Sequence, residues 1–303
     1  MTPSSTRAGT IEDWRLRRQS SIDEARNNVK VFIGDRLAVL GVGIIVATIL
    51  VALLAPVIAP YPAQGRGEYD ASEKLLPPSV KHPFGTDQLG RDVLSRVIYG
   101  ARIPLLVSSF VIAGCLAIGV PLGGLAGYYG GRVDELIMRV TDIFLAFPSI
   151  LLAVILVVFL GPSLRNCMIA LIVSWWPWYA RLVRGVAISL RERPFVEAAR
   201  IMGLRRPTVV LWHILPASSG PVIVSAALDM GAVILSAAGL SFIGLGAQPP
   251  TAEWGLMISE GRVYVLQQWW ISVFPALAMF VLVLGINFVG DGLRTVFDPR
   301  SKT

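Results

Sequence analysis

Six long apolar runs dominate this sequence, and each is long enough to cross a lipid bilayer as a helix. The hydrocarbon core of a bilayer is about 30 Å thick, so a transmembrane helix needs about 20 apolar residues. The runs are continuous and do not alternate with polar residues, which favours helices over a membrane β-barrel. They cover residues 37–59, 103–128, 136–160, 168–190, 218–245 and 269–289. The sequence therefore predicts an all-α integral membrane protein with six transmembrane helices.

The composition supports one membrane domain rather than two soluble domains. Charged residues make up 16% of the chain, whereas a soluble domain carries about 25%. The first run is too long for a signal-peptide core, and a polar segment, 1–36, precedes it, so we expect no cleavage. The remaining divisions are an external segment, 60–102, a core membrane domain, 103–290, and a tail, 291–303.

Lysine and arginine are distributed unevenly between the two sides of the predicted membrane. One side carries 19 of the 27 Lys and Arg residues, and the other side carries eight. The richer side holds both termini, the 129–139 turn and the 181–217 loop. Because cytoplasmic segments are enriched in Lys and Arg, we expect both termini to be cytoplasmic and 60–102 to be external. The net charge of +7 then follows from the topology and requires no nucleic-acid partner.

No catalytic or metal-binding motif is found in the sequence. It contains no GxxxxGK[ST] phosphate-binding loop, no HExxH zinc motif and no GxSxG nucleophile motif. The two histidines, His82 and His213, fall on opposite sides of the predicted membrane, and the two cysteines have no metal or redox spacing. We therefore expect no catalytic residue, no metal and no cofactor, which leaves transport as the function class.

Two acidic residues inside the predicted spans bear on how transport is powered. Asp142 lies three residues from Arg139 on a helix face, which predicts a local ion pair. Asp229 has two open interpretations, a partner for a polar group on a neighbouring helix or a polar point on the translocation path. Intramembrane acids are typical of ion-coupled carriers, so a secondary transporter is kept as the alternative function.

The segment 191–217 is basic and amphipathic and lies between two apolar runs. Pro194 and Pro207 suit the first turns of helices, Gly203 suits a helix end, and Pro216 is expected to stop the second helix. The pattern predicts a helix, a glycine turn and a second helix. A DNA-binding helix-turn-helix is disfavoured because the membrane begins within a few residues on both sides. An apolar side suits the membrane surface or a groove on a cytoplasmic partner.

The external segment predicts one amphipathic helix at the membrane interface. Thr86 or Asp87 can cap its start. Its apolar face holds Val93, Leu94, Val97, Ile98 and Ala101, and its polar positions are Arg91, Ser95 and Arg96. Lipid seating alone and contact with an external partner both remain open.

Several motifs resemble one family of membrane proteins. Glu197-Ala198-Ala199, then Gly203 and then Leu215-Pro216, resemble the EAA signature of permease subunits of binding-protein-dependent ABC importers. The runs at 82–105, 126–153, 240–255 and 287–300 resemble the C-type permease of the dipeptide, oligopeptide and nickel importers, and the likeness extends from about residue 37 to 300. Two positions depart from it, since many relatives have an acid where Ala237 stands and an isoleucine where His213 stands.

The resemblance implies a type I ABC importer permease fold, MetI-like, with cytoplasmic coupling helices in 191–217. It implies a second permease subunit, two ATPase subunits and an external substrate-binding protein, in a bacterial or archaeal plasma membrane. Short peptides are the expected substrates, followed by glutathione-like peptides and then nickel chelates or opines. The residues expected to couple to the ATPase are Glu197, Ala198, Ala199, Gly203, His213, Leu215 and Pro216. The residues expected at the external gate or the binding protein are Gly85, Asp87, Gly90, Arg91 and Asp92.

Overall fold

The computed structural model describes residues 26–297, and regular structure in that part is helical apart from one bridge between Thr86 and Asp92. The predicted segments 1–36 and 291–303 fall partly outside the described residues. The helices of the first half are α1 (26–34), α2 (Arg36–Ile58), α3 (Pro62–Gly65), α4 (Val93–Gly100), α5 (Arg102–Tyr129), α6 (Gly131–Leu145) and α7 (Ser149–Leu160). Those of the second half are α8 (Leu164–Leu190), α9 (Pro194–Ile201), α10 (Arg206–Val209), α11 (Leu215–Ala217), α12 (Ser219–Phe242), α13 (Trp254–Gly261) and α14 (Trp270–Phe297).

The predicted spans are recovered as helices, although the count of six stays a prediction. Within the described residues four helices are long and apolar enough to cross a membrane, namely α2, α5 (continuous with α4), α12 and α14. A fifth is added if the bent pair α6 and α7 forms one span. Helix α8 has 27 residues, or about 40 Å, but tryptophans and arginines lower its hydropathy.

The third predicted span, 136–160, is not one straight helix. Helices α6 and α7 meet at an angle of 83° across residues 146–148. Pro148 lies at the break, where its ring removes a backbone donor and keeps Phe147 out of the helical conformation. Helix α6 is charged and amphipathic, whereas α7 is uniformly apolar, so the two halves lie in different surroundings.

The centre of the protein is the contact between α5 and α8. Gly119, Gly123 and Gly127 recur every four residues along α5 and face α8. A Cβ atom on Gly123 would lie 2.3 Å from the carbonyl oxygen of Ala180, so only glycine allows this separation of the backbones. Small residues at such spacing let membrane helices pack closely. At one end of this contact α8 leads into the segment 191–217, and the end of α5 packs against that segment. The packing of α5 on α8 therefore sets the position of the segment.

Candidate coupling loop and buried external ion network

Residues 191–217, called here the coupling loop, fold as the sequence predicts in their first half. Helix α9 begins at Pro194, and the turn after it contains Gly203 with a φ of +78°. A Cβ at Gly203 would meet no atom within 4 Å. The backbone conformation, and not a shortage of space, therefore requires glycine at this position.

The coupling loop has one buried side. Val196 and Ala199 of α9 and Val209 of α10 have no exposed surface. They pack with Tyr128 at the end of α5 and with Ala187 of α8. Burial of this side fixes both loop helices to the ends of two spans.

The opposite side of the loop is exposed and largely apolar. Glu197 and Ala198 lie on it. The exposed fractions of its large apolar side chains are 43% for Phe195, 80% for Ile201, 73% for Met202, 56% for Leu211 and 74% for Trp212. Exposed apolar surface of this size marks an interaction site or a membrane contact.

The expectation that Pro216 stops the second loop helix is wrong. From α10 the chain continues as a π-helix, Val210–Ile214, then as α11, and a single residue, Ser218, separates α11 from α12. Pro216 lies in the first turn of α11, where a helix tolerates its missing N–H. The second half of the loop is thus nearly continuous with a span.

The expected coupling residues do not share one face. Glu197, Ala198, Gly203 and Pro216 are exposed, whereas Ala199 is buried. His213 and Leu215 are half-buried. The Nδ1 atom of His213 has no hydrogen-bond partner among the described residues. The exposed four are the most open to a partner in this structure, and Ala199 is closed to one.

Ion pairs join α8 to α6 beside the loop. Arg184 donates two hydrogen bonds to Asp134, at 2.5 and 2.6 Å. Arg181 pairs with Asp142 at 2.5 Å. The predicted pair of Asp142 with Arg139 is therefore wrong. Asp142 faces the neighbouring helix, and Arg139 pairs with Glu135 one turn away at 3.0 Å.

Four charged side chains meet at the end of the protein opposite the coupling loop, between the segment 60–102, which is predicted to be external, and α13. Asp87 accepts from Arg91 at 2.6 Å and from Arg96 at 2.7 Å. Glu260 accepts from the same two arginines at 2.9 Å each. Both arginine side chains are 1% exposed, Asp87 is 2% exposed and Glu260 is 14% exposed. We call this group the external ion network, after the predicted side of the membrane; its two positive and two negative charges balance.

A second polar cluster extends the external ion network. The buried ring of His82 lies 2.9 Å from Asp92 through Nδ1 and 3.1 Å from Glu73 through Nε2. Asp92 also accepts from the backbone N–H of Ser95 at 2.7 Å. The Lys81 ammonium donates to Glu73 and lowers the pKa of that carboxyl. These contacts fold the segment before α4 into one polar core.

The glycines expected at the external site serve this tight fold. Gly90 has a φ of +81°, and a Cβ there would lie 1.7 Å from the carbonyl oxygen of Asp70. Gly85 has a φ of +71° and packs against Trp270 of α14. Any larger residue at Gly90 displaces the backbone of the segment.

The prediction of an interfacial amphipathic helix is wrong in two respects. The helix starts at Val93 and is capped by Asp92, not by Thr86 or Asp87. Its polar side, including Arg96, is buried as well as Val93 of the apolar face, because the polar side faces the external ion network. Residue spacing cannot show that a polar face is covered by partners distant in the sequence.

Asp229 of α12 has a neutral partner. The Tyr179 hydroxyl of α8 donates to its Oδ2 at 2.7 Å. Within residues 26–297 no cation pairs with this half-buried carboxyl. The structure supplies the partner on a neighbouring helix, and whether Asp229 also lies on a path stays a prediction.

Comparison with known proteins gives the family. Residues 119–303 match the family described as "Binding-protein-dependent transport system inner membrane component". Residues 26–78 match the "N-terminal TM domain of oligopeptide transport permease C". The chain belongs to this permease family. The permease is thus a membrane subunit of an ABC importer, and the ion-coupled carrier alternative is not supported.

Relatives of the permease cover most of its length. The "Dipeptide transport system permease protein DppC" of Alkalihalophilus pseudofirmus is 46% identical over 89% of this chain and 88% of its own. The "Probable D,D-dipeptide transport system permease protein DdpC" of Escherichia coli K12 is 45% identical over 88% and 89%. The "Glutathione transport system permease protein GsiD" of Escherichia coli O6 is 45% identical over 85% and 84%.

A solved structure confirms the fold of the permease. A chain of the MetNI methionine ABC transporter, in an inward-facing conformation, superposes with a TM-score of 0.53. The match covers 66% of this chain and 96% of that one, at 21% identity, and so shows the fold alone. The MetI-like fold expected from the sequence is therefore confirmed.

Sequence reasoning missed two acidic residues at the ends of α13. Glu260 completes the external ion network. Glu253 is 4% exposed and caps α13 by accepting from the N–H groups of Gly255 and Leu256 at 2.9 and 2.7 Å. Burial raises the pKa of the Glu253 carboxyl. The capping role of Glu253 is predictable from the sequence, because an acid just before a helix is a common cap. No local pattern predicts the role of Glu260.

Proposed function

We propose that the permease moves short peptides or peptide-like solutes inward across the plasma membrane as one of two permease subunits. The relatives at 45–46% identity are named for dipeptide, D,D-dipeptide and glutathione transport. Those solutes share a peptide bond and ionised ends. The substrate of this permease belongs to the same chemical class.

Two separate ATPase subunits supply the energy. The chain has no phosphate-binding loop of its own. The exposed apolar side of the coupling loop suits insertion into a cleft of a cytoplasmic ATPase. Because α9 is fixed to α5 and α8, and the second loop helix is nearly continuous with α12, motion of a docked ATPase reaches three spans.

The coupling loop lies in the cytoplasm and the external ion network lies outside. The uneven distribution of Lys and Arg supports this orientation, with both termini cytoplasmic. The buried network holds the segment 60–102 in one shape against α13. A rigid external surface of this kind is suited to receive a substrate-binding protein, since little ordering is needed on contact.

Asp229 is a contact for the ammonium of the substrate on the translocation path. Its carboxyl is half-buried and its hydrogen-bond partner, Tyr179, is neutral, so no cation among the described residues competes with a substrate for it. The hydroxyl of Tyr179 fixes the orientation of the carboxyl.

Reconstitution tests this function. The permease is placed in liposomes with its second permease, the ATPases and the binding protein, and uptake of a labelled dipeptide is measured. We expect uptake to require ATP and the binding protein and to survive an uncoupler that abolishes the proton gradient. Uptake that continues without ATP and collapses with the uncoupler would contradict the proposal.

A further inference from the structure

A polar cavity of about 620 Å³ lies under the coupling loop, on the side of α5 and α8. Its charged lining comes from three elements, with Arg191 at the end of α8, Arg200 in α9 and Arg206 at the start of α10. Tyr128 and Tyr129 of α5 form the aromatic part of its wall. We call this cavity the arginine pocket.

Positive charge in the arginine pocket is not balanced within the described chain. Glu192 is the one acid in the lining; it is 78% exposed and 3.5 Å from Arg191. Arg200 and Arg206 have no carboxylate partner among residues 26–297. Three guanidinium groups therefore face one carboxylate, and an anion entering the cavity meets a net positive charge.

Two of the arginines, both exposed, contact aromatic rings of the pocket wall. Arg200 donates from Nε to the Tyr128 hydroxyl at 3.1 Å, and its Cζ lies 4.9 Å from the centre of that ring. Arg206 lies over the Tyr129 ring at 5.9 Å. Contacts with ring faces orient the guanidinium planes. A planar guanidinium with free N–H groups matches the geometry of phosphate oxygens.

We expect the arginine pocket to lie at the depth of lipid headgroups, because its walls are the ends of two helices that the sequence predicts to be spans. Tyr128 and Tyr129 are the last residues of α5, and Arg191 follows the last residue of α8. Tyrosine is enriched at the membrane–water interface, where lipid phosphates lie. Clustered basic residues beside a span attract anionic lipids.

We propose that the arginine pocket binds a phosphate group, and that its place at the interface favours an anionic phospholipid as the source. The bound phosphate joins α8, α9 and α10 through the three arginines. Anionic lipid would then stiffen the coupling loop where it leaves the membrane. The inference requires only that α5 and α8 span the membrane, and it holds whatever the substrate is.

Lipid binding to the purified full-length chain tests this. The chain is equilibrated with detergent micelles that contain phosphatidylglycerol or phosphatidylcholine, and bound lipid is counted by native mass spectrometry. We expect a preference for phosphatidylglycerol in the wild type. The double variant Arg200→Gln/Arg206→Gln should weaken that binding about thirtyfold, at about a factor of five for each basic residue near the membrane surface.

The matched control is Arg205→Gln, an exposed arginine next to the pocket but outside its lining. It should bind phosphatidylglycerol like the wild type. Titration of the wild type with inorganic phosphate separates the two sources of phosphate. Displacement of bound phosphatidylglycerol by phosphate would support the proposal. Binding of phosphate without any lipid preference would overturn the assignment to a phospholipid. Equal loss in the control and the double variant, or no preference in the wild type, would overturn the proposal.

Discussion

Replacing Glu260 by glutamine should destabilise the protein strongly, because it leaves the external ion network with one excess positive charge. The carboxylate contacts Arg91 and Arg96 at 2.9 Å each. At an effective dielectric constant of about 20, each attraction amounts to about 6 kcal/mol before desolvation is subtracted. Desolvation offsets much of this attraction, and removing one partner of a buried pair costs about 3–5 kcal/mol.

The matched control is Glu135→Gln on α6. Glu135 pairs with Arg139 at 3.0 Å, and the two side chains are 62% and 76% exposed. Such an exposed pair contributes about 0–1 kcal/mol. The assay is the free energy of unfolding of the purified chain, titrated with sodium dodecyl sulfate in detergent micelles. Equal loss in the two variants would refute the argument that burial makes the network essential.

Two further predictions concern orientation and Asp229. A cysteine that replaces Ser72 should react with a membrane-impermeant reagent added outside intact cells, and a cysteine that replaces Met202 should not. The native cysteines are buried and give little background labelling. Reversed labelling would contradict the orientation. Asp229→Asn retains an oxygen that accepts from Tyr179, so the yield of the assembled complex should hold while uptake of cationic peptides falls. Loss of yield, at about 1–3 kcal/mol for an unpaired buried group, would assign Asp229 a structural role instead.

The sequence predicted features that depend on local pattern. Apolar run length located long helices, four of which are candidate membrane spans, and Pro194 and Gly203 located the first loop helix and its turn. The family resemblance rested on local motifs and was confirmed.

Features that depend on distant contacts were not predictable. Glu260 follows Arg91 by 169 residues and Arg96 by 164, so no spacing rule joins them. Without that partner the polar side of α4 resembles a solvated face. Sequence spacing pairs Asp142 with Arg139, the nearest arginine in the chain, whereas α8 brings Arg181 to it in space.

The effect of a proline depends on the helices around it. Pro148 lies at a bend of 83° inside a predicted span. Pro216, which the sequence predicts to end a helix, lies instead in the first turn of one. Proline disfavours the conformation before it and lacks one donor. Whether this breaks a helix depends on the packing of both halves.

The coupling loop is most directly tested by Glu197→Lys in the reconstituted importer, with ATP hydrolysis, dipeptide uptake and subunit stoichiometry measured together. Glu197 is exposed beside the apolar side of the loop, in the first turn of α9. A positive charge there opposes both the helix dipole and a cleft that accepts a carboxylate. Glu135→Lys makes the same charge change outside the loop and serves as the control. We expect Glu197→Lys to lose ATPase subunits or to hydrolyse ATP without uptake, while Glu135→Lys transports normally. Wild-type stoichiometry, hydrolysis and uptake in Glu197→Lys would contradict the account.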